Sequence, residues 1–350
     1  MTEGGALATT GRAEAGSEPE EAMRLIRGFL ADRMGASAAG VVVVPLSGDA
    51  STRRYFRLRE GERTTVLALY PEPFVAEEST FVAVHRLLVD FGLPVPEILD
   101  EDGRRGILLL EDLGDLTLQE VLKTASLARR EELYRQAVEG LVVLQREAAR
   151  GAKSGACFQI AFDLEKLTWE LHYFLKHFLE GFRQRNLSVE DRALLAEHFH
   201  RLAEDIASWP RVLCHRDFHS RNLMLHQGSL VWIDFQDARL GPMSYDLASL
   251  LRDSYVDLDE GFVAERAEEF RQMTAPEEPR DAFHRRFELM SVQRNLKALG
   301  TFGFMATMRS NPVYLPYIAG TLAHARRNLS RHPELQGLWR VLARHLEELT

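Results

Sequence analysis

The period of the hydrophobic pattern changes near residue 113, and that change constrains the fold more than any other feature. Between about residues 40 and 112, short apolar runs alternate with turn residues. "VVVVPLSGDASTRRYFRLRE" reads as strand, loop, strand, and "TTVLALYPE" as a third strand. One helical stretch, "EESTFVAVHRLLVDFG", interrupts them through Phe81, Val84, Leu88 and Phe91, with Gly92 as its stop signal. The proline-rich "LPVPEILDEDG" reads as a connector turning at Asp102-Gly103, followed by an apolar strand at 106–110. After Gly114 apolar residues recur at helical spacing. Leu133, Ala137, Leu141 and Leu144 mark one helix, and Leu164, Leu167, Leu171, Leu175 and Phe178 another. Ser188 and Asp191 fit a capping box, and from about residue 244 the pattern is helical throughout.

The expected fold class is therefore α+β, with a small antiparallel-sheet lobe followed by a large, mainly helical one. The 350 residues exceed the ~250–300 at which a single core splits. The expected division is a disordered leader at 1–20, an N-lobe at 21–112 and a C-lobe at 113–350. The N-lobe would open with a helix carrying Met23, Ile26, Leu30 and Met34. A boundary at 112–114 would place a cleft there, where ligands commonly sit.

The balance of 52 acidic and 43 basic residues, net −9, argues against a nucleic-acid partner, whose footprint would be basic. It leaves room for a local basic pocket. Cys157 and Cys214 have neither metal-site nor disulfide-framework spacing, which suits a reducing compartment. No apolar run reaches ~18 residues, and the first twenty lack the basic-then-apolar order of a signal peptide. The expectation is a cytoplasmic protein with no membrane or nucleic-acid partner and no obligate protein partner.

The chemistry is concentrated between Leu213 and Pro242, "LCHRDFHSRNLMLHQGSLVWIDFQDARLGP". His215-Arg216-Asp217 is followed by Asn222 five residues later and by Asp234 twelve residues after that. A strand would deliver a loop presenting Asp217 and Asn222, and a short hairpin would return to present Asp234. Asn222 and Asp234 are hard oxygen ligands, the kind Mg²⁺ prefers, with phosphates and water completing the shell. Asp217, left without a metal role, can orient a hydroxyl and accept its proton. Any one of these residues alone would read as a turn former. All three at this spacing reproduce the division of labour of kinase-type phosphoryl transfer.

The stretch resembles the protein-kinase-like aminoglycoside phosphotransferase superfamily. "HRDFHSRN" and "IDFQDARLGPMSYDLASLLRD" are most similar to its bacterial branch of N-acetylmuramate/N-acetylglucosamine anomeric kinases. "LSGDASTRRYFRL", "LLLEDLGD" and "QRNLKALGTFG" resemble that branch in the same order. The resemblance spans roughly residues 40–310 and implies a bilobal protein-kinase-like fold. It implies ATP as co-substrate and Mg²⁺ as cofactor, with Asp217 as catalytic base and Asn222 and Asp234 as metal ligands. It makes "LSGDASTRRY", with Ser47, Gly48, Ser51, Thr52, Arg53 and Arg54, the loop over the nucleotide phosphates. Glu111, Asp112 and Leu113 become the hinge that offers backbone hydrogen bonds to adenine. Asp246 and His215 become supports of the catalytic loop.

There are departures from the pattern. Gln236 replaces the glycine of Asp-Phe-Gly, the phosphate loop has one glycine, and the third strand has Ala68, Leu69 and Tyr70 where a protein kinase has its lysine. Arg53 and Arg54 are the candidate replacements for that cation. For the acceptor, His219, Arg252, Arg294 and Lys297 are candidate contacts. Arg294 is favoured for a muramate carboxylate because a guanidinium binds it bidentately. Trp169, Tyr173 and Tyr255 are candidates either for stacking on a sugar or for packing. The implied function is phosphorylation of an amino sugar at its anomeric hydroxyl in peptidoglycan recycling. A kinase of an aminoglycoside or choline-like molecule, and a nucleotide-binding pseudokinase, stay open as alternatives.

Overall fold

The computed structural model describes residues 17–46, 53–151 and 155–350. The chain divides into two compact units, one of residues up to 79 with 96–112, the other of 80–95 with 113–350. The first holds helix α1 (Ser17–Met34) and strands β1 (Val42–Leu46), β2 (Arg54–Glu60), β3 (Arg63–Leu69), β4 (Ile98–Asp102) and β5 (Ile107–Glu111). The strands form one antiparallel sheet in the order β1-β2-β3-β5-β4. The helix buries Ala22, Ile26, Phe29 and Leu30 against Phe56, Leu58, Leu67, Leu69 and Ile107. Met23 and Met34 lie at the margin of this stripe, so the helix is turned slightly from the expected face.

Two expectations need correction here. The connector before Asp102 is strand β4, because Ile98–Asp102 ladders onto β5 with a register shift between Ile98 and Asp100. The helix also begins at Ser17, inside the stretch expected to be leader. Glu20 and Glu21 in its opening turns suit the positive end of the helix dipole. The rest of that leader, 1–16, lies outside the described residues, as do Ser47, Gly48, Ser51 and Thr52 of the expected phosphate loop.

The second unit is mainly helical. It comprises α2 (Thr80–Asp90), α3 (Leu118–Leu122), α4 (Leu127–Arg150), α5 (Leu164–Phe174), α6 (Val189–Ser208), α7 (Tyr245–Leu251), α8 (Glu260–Thr274), α9 (Arg280–Met308), α10 (Ile318–Arg331) and α11 (Gln336–Ala343). Two antiparallel pairs sit among them, β6 (Arg211–Cys214) with β9 (Arg239–Pro242), and β7 (Leu223–His226) with β8 (Ser229–Trp232). Leu133, Ala137, Leu141 and Leu144 of α4 are all buried, as their spacing requires. Ser188 caps α6 through Asp191 N at 3.0 Å, but the box is half made. Asp191 turns its carboxylate to Arg344 and His345 instead, at 2.5 and 2.9 Å. Cys157 and Cys214 are buried free thiols. Among the described residues no helix is long and apolar enough to cross a membrane.

Helix α5 continues as a π-helical stretch through Leu175–Phe182, and α9 lies against both. A Cβ on Gly303 would stand 2.3 Å from the His177 carbonyl oxygen, and one on Gly300 2.9 Å from the Phe174 backbone nitrogen. Only glycine allows that approach. It matters because α9 also carries Gln293, Arg294 and Lys297.

Candidate active site

Strand β6 delivers His215, and two carboxylates from the α7 region hold the loop that follows. Asp246 accepts the backbone N–H of His215 at 2.6 Å and of Arg216 at 3.0 Å. Asp253 accepts those of Ser220 at 2.8 Å and Tyr255 at 2.9 Å. Both are buried. Burial pushes Asp246 up to about 7 and Asp253 up to about 6, against N–H bonds that pull the other way. Arg216 takes φ +88°, a conformation costly outside glycine that persists where the surroundings over-determine it. Sequence reasoning missed Asp253. Its signal was the second acidic residue of "DLASLLRD", seven positions after Asp246 and just past the end of α7.

The hairpin β7–β8 brings Asn222 and Asp234 together. Its turn residues Gln227 and Gly228 have φ +49° and +85°, as a type I′ turn requires. The register Leu223↔Trp232 places Asn222 opposite Ile233, whose N–H donates to Asn222 O at 3.0 Å. Asn222 Nδ2 donates to the Asp217 carbonyl at 2.9 Å and lies 3.4 Å from Asp234 Oδ2. Its amide oxygen is thereby the atom left to face a cation. Asp234 sits at φ +63°, Gln236 Nε2 donates to its Oδ1 at 2.8 Å, and Phe235 packs on Phe81 of α2 at 4.9 Å. One carboxylate and one amide oxygen fit Mg²⁺, which usually takes one or two protein carboxylates and fills its shell elsewhere. Among the described residues no group of three or more His, Cys, Asp or Glu is placed to hold a metal alone.

Around Asp217 the charge is positive. Lys297 Nζ lies 3.4 Å and Arg294 3.9 Å from Oδ1, and Arg216 lies 3.5 Å from Oδ2. Burial alone would raise the Asp217 carboxyl. The charges of Lys297, Arg216 and Arg294 outweigh it and hold the group well below the usual carboxylate range. Asp217 is thus ionised at neutral pH. Arg294, 8% exposed, also donates to the Tyr245 hydroxyl and stacks on that ring at 4.5 Å. His219 is half-buried and edge-on to Tyr255 at 5.2 Å. Burial pushes it down to about 3, so it brings no charge to a ligand. His215 packs edge-on to Phe218 and Trp232.

The structure brings Arg294 and Lys297 to Asp217, and it takes Arg252 elsewhere. Arg252, expected at the acceptor, is buried and clasps Glu260 at 2.5 and 3.0 Å. A buried guanidinium needs a carboxylate partner, and Glu260 at the start of α8 supplies it. In the first unit, Arg53 lies over the rings of Tyr55 and Tyr70, and Arg54 over Phe56. Glu111 N donates to Glu97 O at 2.9 Å. Asp112 is gripped bidentately by Arg57 at 2.7 and 2.9 Å, a pairing the sequence did not suggest. Leu113 begins the second unit.

A model of the phosphotransferase enzyme family matches residues 42–284. The chain belongs to that family. Its curated relatives include the N-acetylmuramate/N-acetylglucosamine kinase of Neisseria meningitidis, 33% identical over 85% of this chain and 88% of that protein. The kinase of the same name from Pseudomonas aeruginosa is 33% identical over 86% and 88%. Among solved structures, the ADP-bound aminoglycoside phosphotransferase APH(2'')-Ib matches with TM-score 0.58 and 15% identity over 85% of this chain and 96% of its own. A choline/ethanolamine kinase family protein from Mesorhizobium loti matches with TM-score 0.56 and 20% identity over 91% and 98%. The α+β bilobal kinase-like fold of this phosphotransferase is therefore the family's own.

Proposed function

We propose that this phosphotransferase uses ATP and Mg²⁺ to phosphorylate the anomeric hydroxyl of N-acetylmuramate and N-acetylglucosamine, in recycling of cell-wall sugars. The observation that carries the reading is the cationic surround of Asp217. Lys297, Arg216 and Arg294 all lie within 4 Å of one carboxylate. An aminoglycoside or a choline-like acceptor is itself cationic and would be repelled there; an acidic sugar would be attracted. The relatives bearing the N-acetylmuramate/N-acetylglucosamine kinase name support the same choice over the choline and aminoglycoside kinases, which share only the fold.

In this reading Asp217 orients the acceptor hydroxyl and takes its proton as the phosphoryl group is transferred. A sugar anomeric hydroxyl is more acidic than an ordinary alcohol, so a carboxylate held at low proton affinity suffices. Mg²⁺ bound by Asn222 and Asp234 would neutralise charge on the nucleotide phosphates. Asp246 and Asp253 hold the loop so that Asp217 meets the hydroxyl without rearrangement, which is where much of such a rate enhancement comes from. The test is a ³¹P NMR screen with ATP, Mg²⁺ and a panel of amino sugars, aminoglycosides and choline. A sugar 1-phosphate signal with either amino sugar is expected. Product formed only with aminoglycosides or choline would overturn the reading.

A further inference from the structure

Helix α5 presents Lys166, Trp169, Glu170 and Tyr173 one turn apart. Trp169 is 53% exposed, an unusual position for the largest apolar side chain. It is not isolated: Tyr173 lies beside it at 5.1 Å and the Lys166 ammonium sits over its ring at 4.0 Å. Lys166 is only 29% exposed, and its nearest carboxylate oxygen, on Glu170, is 4.0 Å away, beyond hydrogen-bond range. Glu170 is itself buried and held by Gln293 at 2.8 Å. Among the described residues Lys166 Nζ makes no hydrogen bond. Burial lowers its proton affinity, Glu170 raises it, and Arg216, Arg239 and Lys297 lower it further. Lys166 is a half-buried ammonium crowded by other cations, in want of an anion.

Helix α9 links this row to the base. Gln293 reaches Glu170, and Lys297, one turn on, reaches Asp217. Neighbouring side chains on a helix face are about 5–6 Å apart, the scale of a pyranose ring. A sugar with its anomeric hydroxyl at Asp217 would therefore extend its opposite side towards α5.

We propose that Lys166 and Trp169 form the anion-binding end of the acceptor site. The exposed indole supports the apolar side of the sugar, and the Lys166 ammonium takes a carboxylate carried on the ring. This assigns to Lys166 the discrimination between an acidic amino sugar and its neutral counterpart, and it rests on the acceptor reading given above. N-acetylmuramate carries a lactyl carboxylate that N-acetylglucosamine lacks, so only the former gains from the contact.

The experiment compares kcat/KM for both sugars in the wild type, Lys166→Met, Lys166→Arg and Trp169→Leu. Methionine keeps the apolar stem and removes the charge. Lys166→Met is expected to lower the ratio of kcat/KM for N-acetylmuramate to that for N-acetylglucosamine by about 10–100-fold, the scale of a charge-assisted hydrogen bond. The loss should appear mainly in KM, and Lys166→Arg should restore most of the ratio. Trp169→Leu should lower kcat/KM for both sugars together, by several-fold, the scale of an aromatic contact. A ratio within twofold of wild type in Lys166→Met would overturn the proposal and leave Lys166 a packing residue. So would a ratio lost equally in Lys166→Met and Lys166→Arg. A wild type inactive on both sugars would instead overturn the acceptor reading, and this proposal with it.

Discussion

Replacing Asp217 with asparagine keeps the shape of the side chain and removes one negative charge from a cluster that depends on it. At an effective dielectric constant of 20, each cation about 4 Å away attracts the carboxylate by about 4 kcal/mol. Desolvation of the ions offsets much of this. The partners do not lose equally. Arg216 keeps Asp237 at 2.5 Å, and Arg294 keeps the Tyr245 hydroxyl. Lys297 has no other carboxylate partner among the described residues and takes most of the loss. Breaking one fully buried pair costs about 3–5 kcal/mol. With Asp217 and Lys297 19% and 21% exposed, about 2–3 kcal/mol is the reasonable scale. That lowers Tm by about 3–4 °C in a chain of 350 residues, and loss of the proposed base lowers kcat by about 10²–10⁴.

The sign of the pH dependence follows from the depressed carboxyl. Its stabilisation is complete above the unfolded-state carboxylate range and is lost as pH falls through the folded value. The wild-type advantage should therefore hold from pH 8 to about 5 and shrink below about pH 4. Differential scanning calorimetry at four pH values measures it, with turnover recorded on the same samples. Asp217→Asn with Lys297→Met should regain stability and stay inactive. An Asp217→Asn variant that melts at or above the wild type at pH 7 would refute the reasoning. The cations would then be a site for phosphate that the carboxylate strains.

Asp234→Ala should abolish turnover and weaken Mg²⁺-dependent ATP binding in calorimetric titration, because the donor set around Asn222 loses its only formal charge; wild-type-like Mg²⁺ dependence would remove Asp234 from that role. Asp253→Asn should lower kcat and cost about 1–3 kcal/mol in urea unfolding, since an amide nitrogen would face the buried N–H of Ser220 or Tyr255; unchanged kcat would mean that the loop keeps its place without Asp253. Gly303→Ala should cost at least about 1–3 kcal/mol, because its Cβ would stand 2.3 Å from the His177 carbonyl oxygen. It should also reduce activity through displacement of Lys297, and a normal Tm would show that α9 can shift cheaply.

The order of sheet then helices and most of the helices were legible because each element announces its buried face by its own period, whereas the placement of α2 with the second unit was not. Leu133 to Leu144 on α4 and Phe81 to Leu88 on α2 are buried as spaced. The ion pair Arg57–Asp112, the turn of Asp191 away from its own cap and the capture of Arg252 by Glu260 were not legible. Each joins residues that no local pattern links. Arg252 shows the difficulty plainly, since eight residues separate it from a carboxylate that only the start of α8 brings back.

The same division runs through the site. By itself the sequence determined which residues could serve as base and metal ligands, because Asp217, Asn222 and Asp234 share thirty residues that one loop and one hairpin must bring together. Apart from Arg216, next to Asp217 in the chain, only the tertiary structure decided the charge around them. Lys297 and Arg294 arrive from a helix eighty residues away, and Lys166 from another fifty residues before. A charge acts through space over a few ångströms, while sequence records neighbours along the chain alone, so the electrostatics that select an acceptor had to wait for the fold.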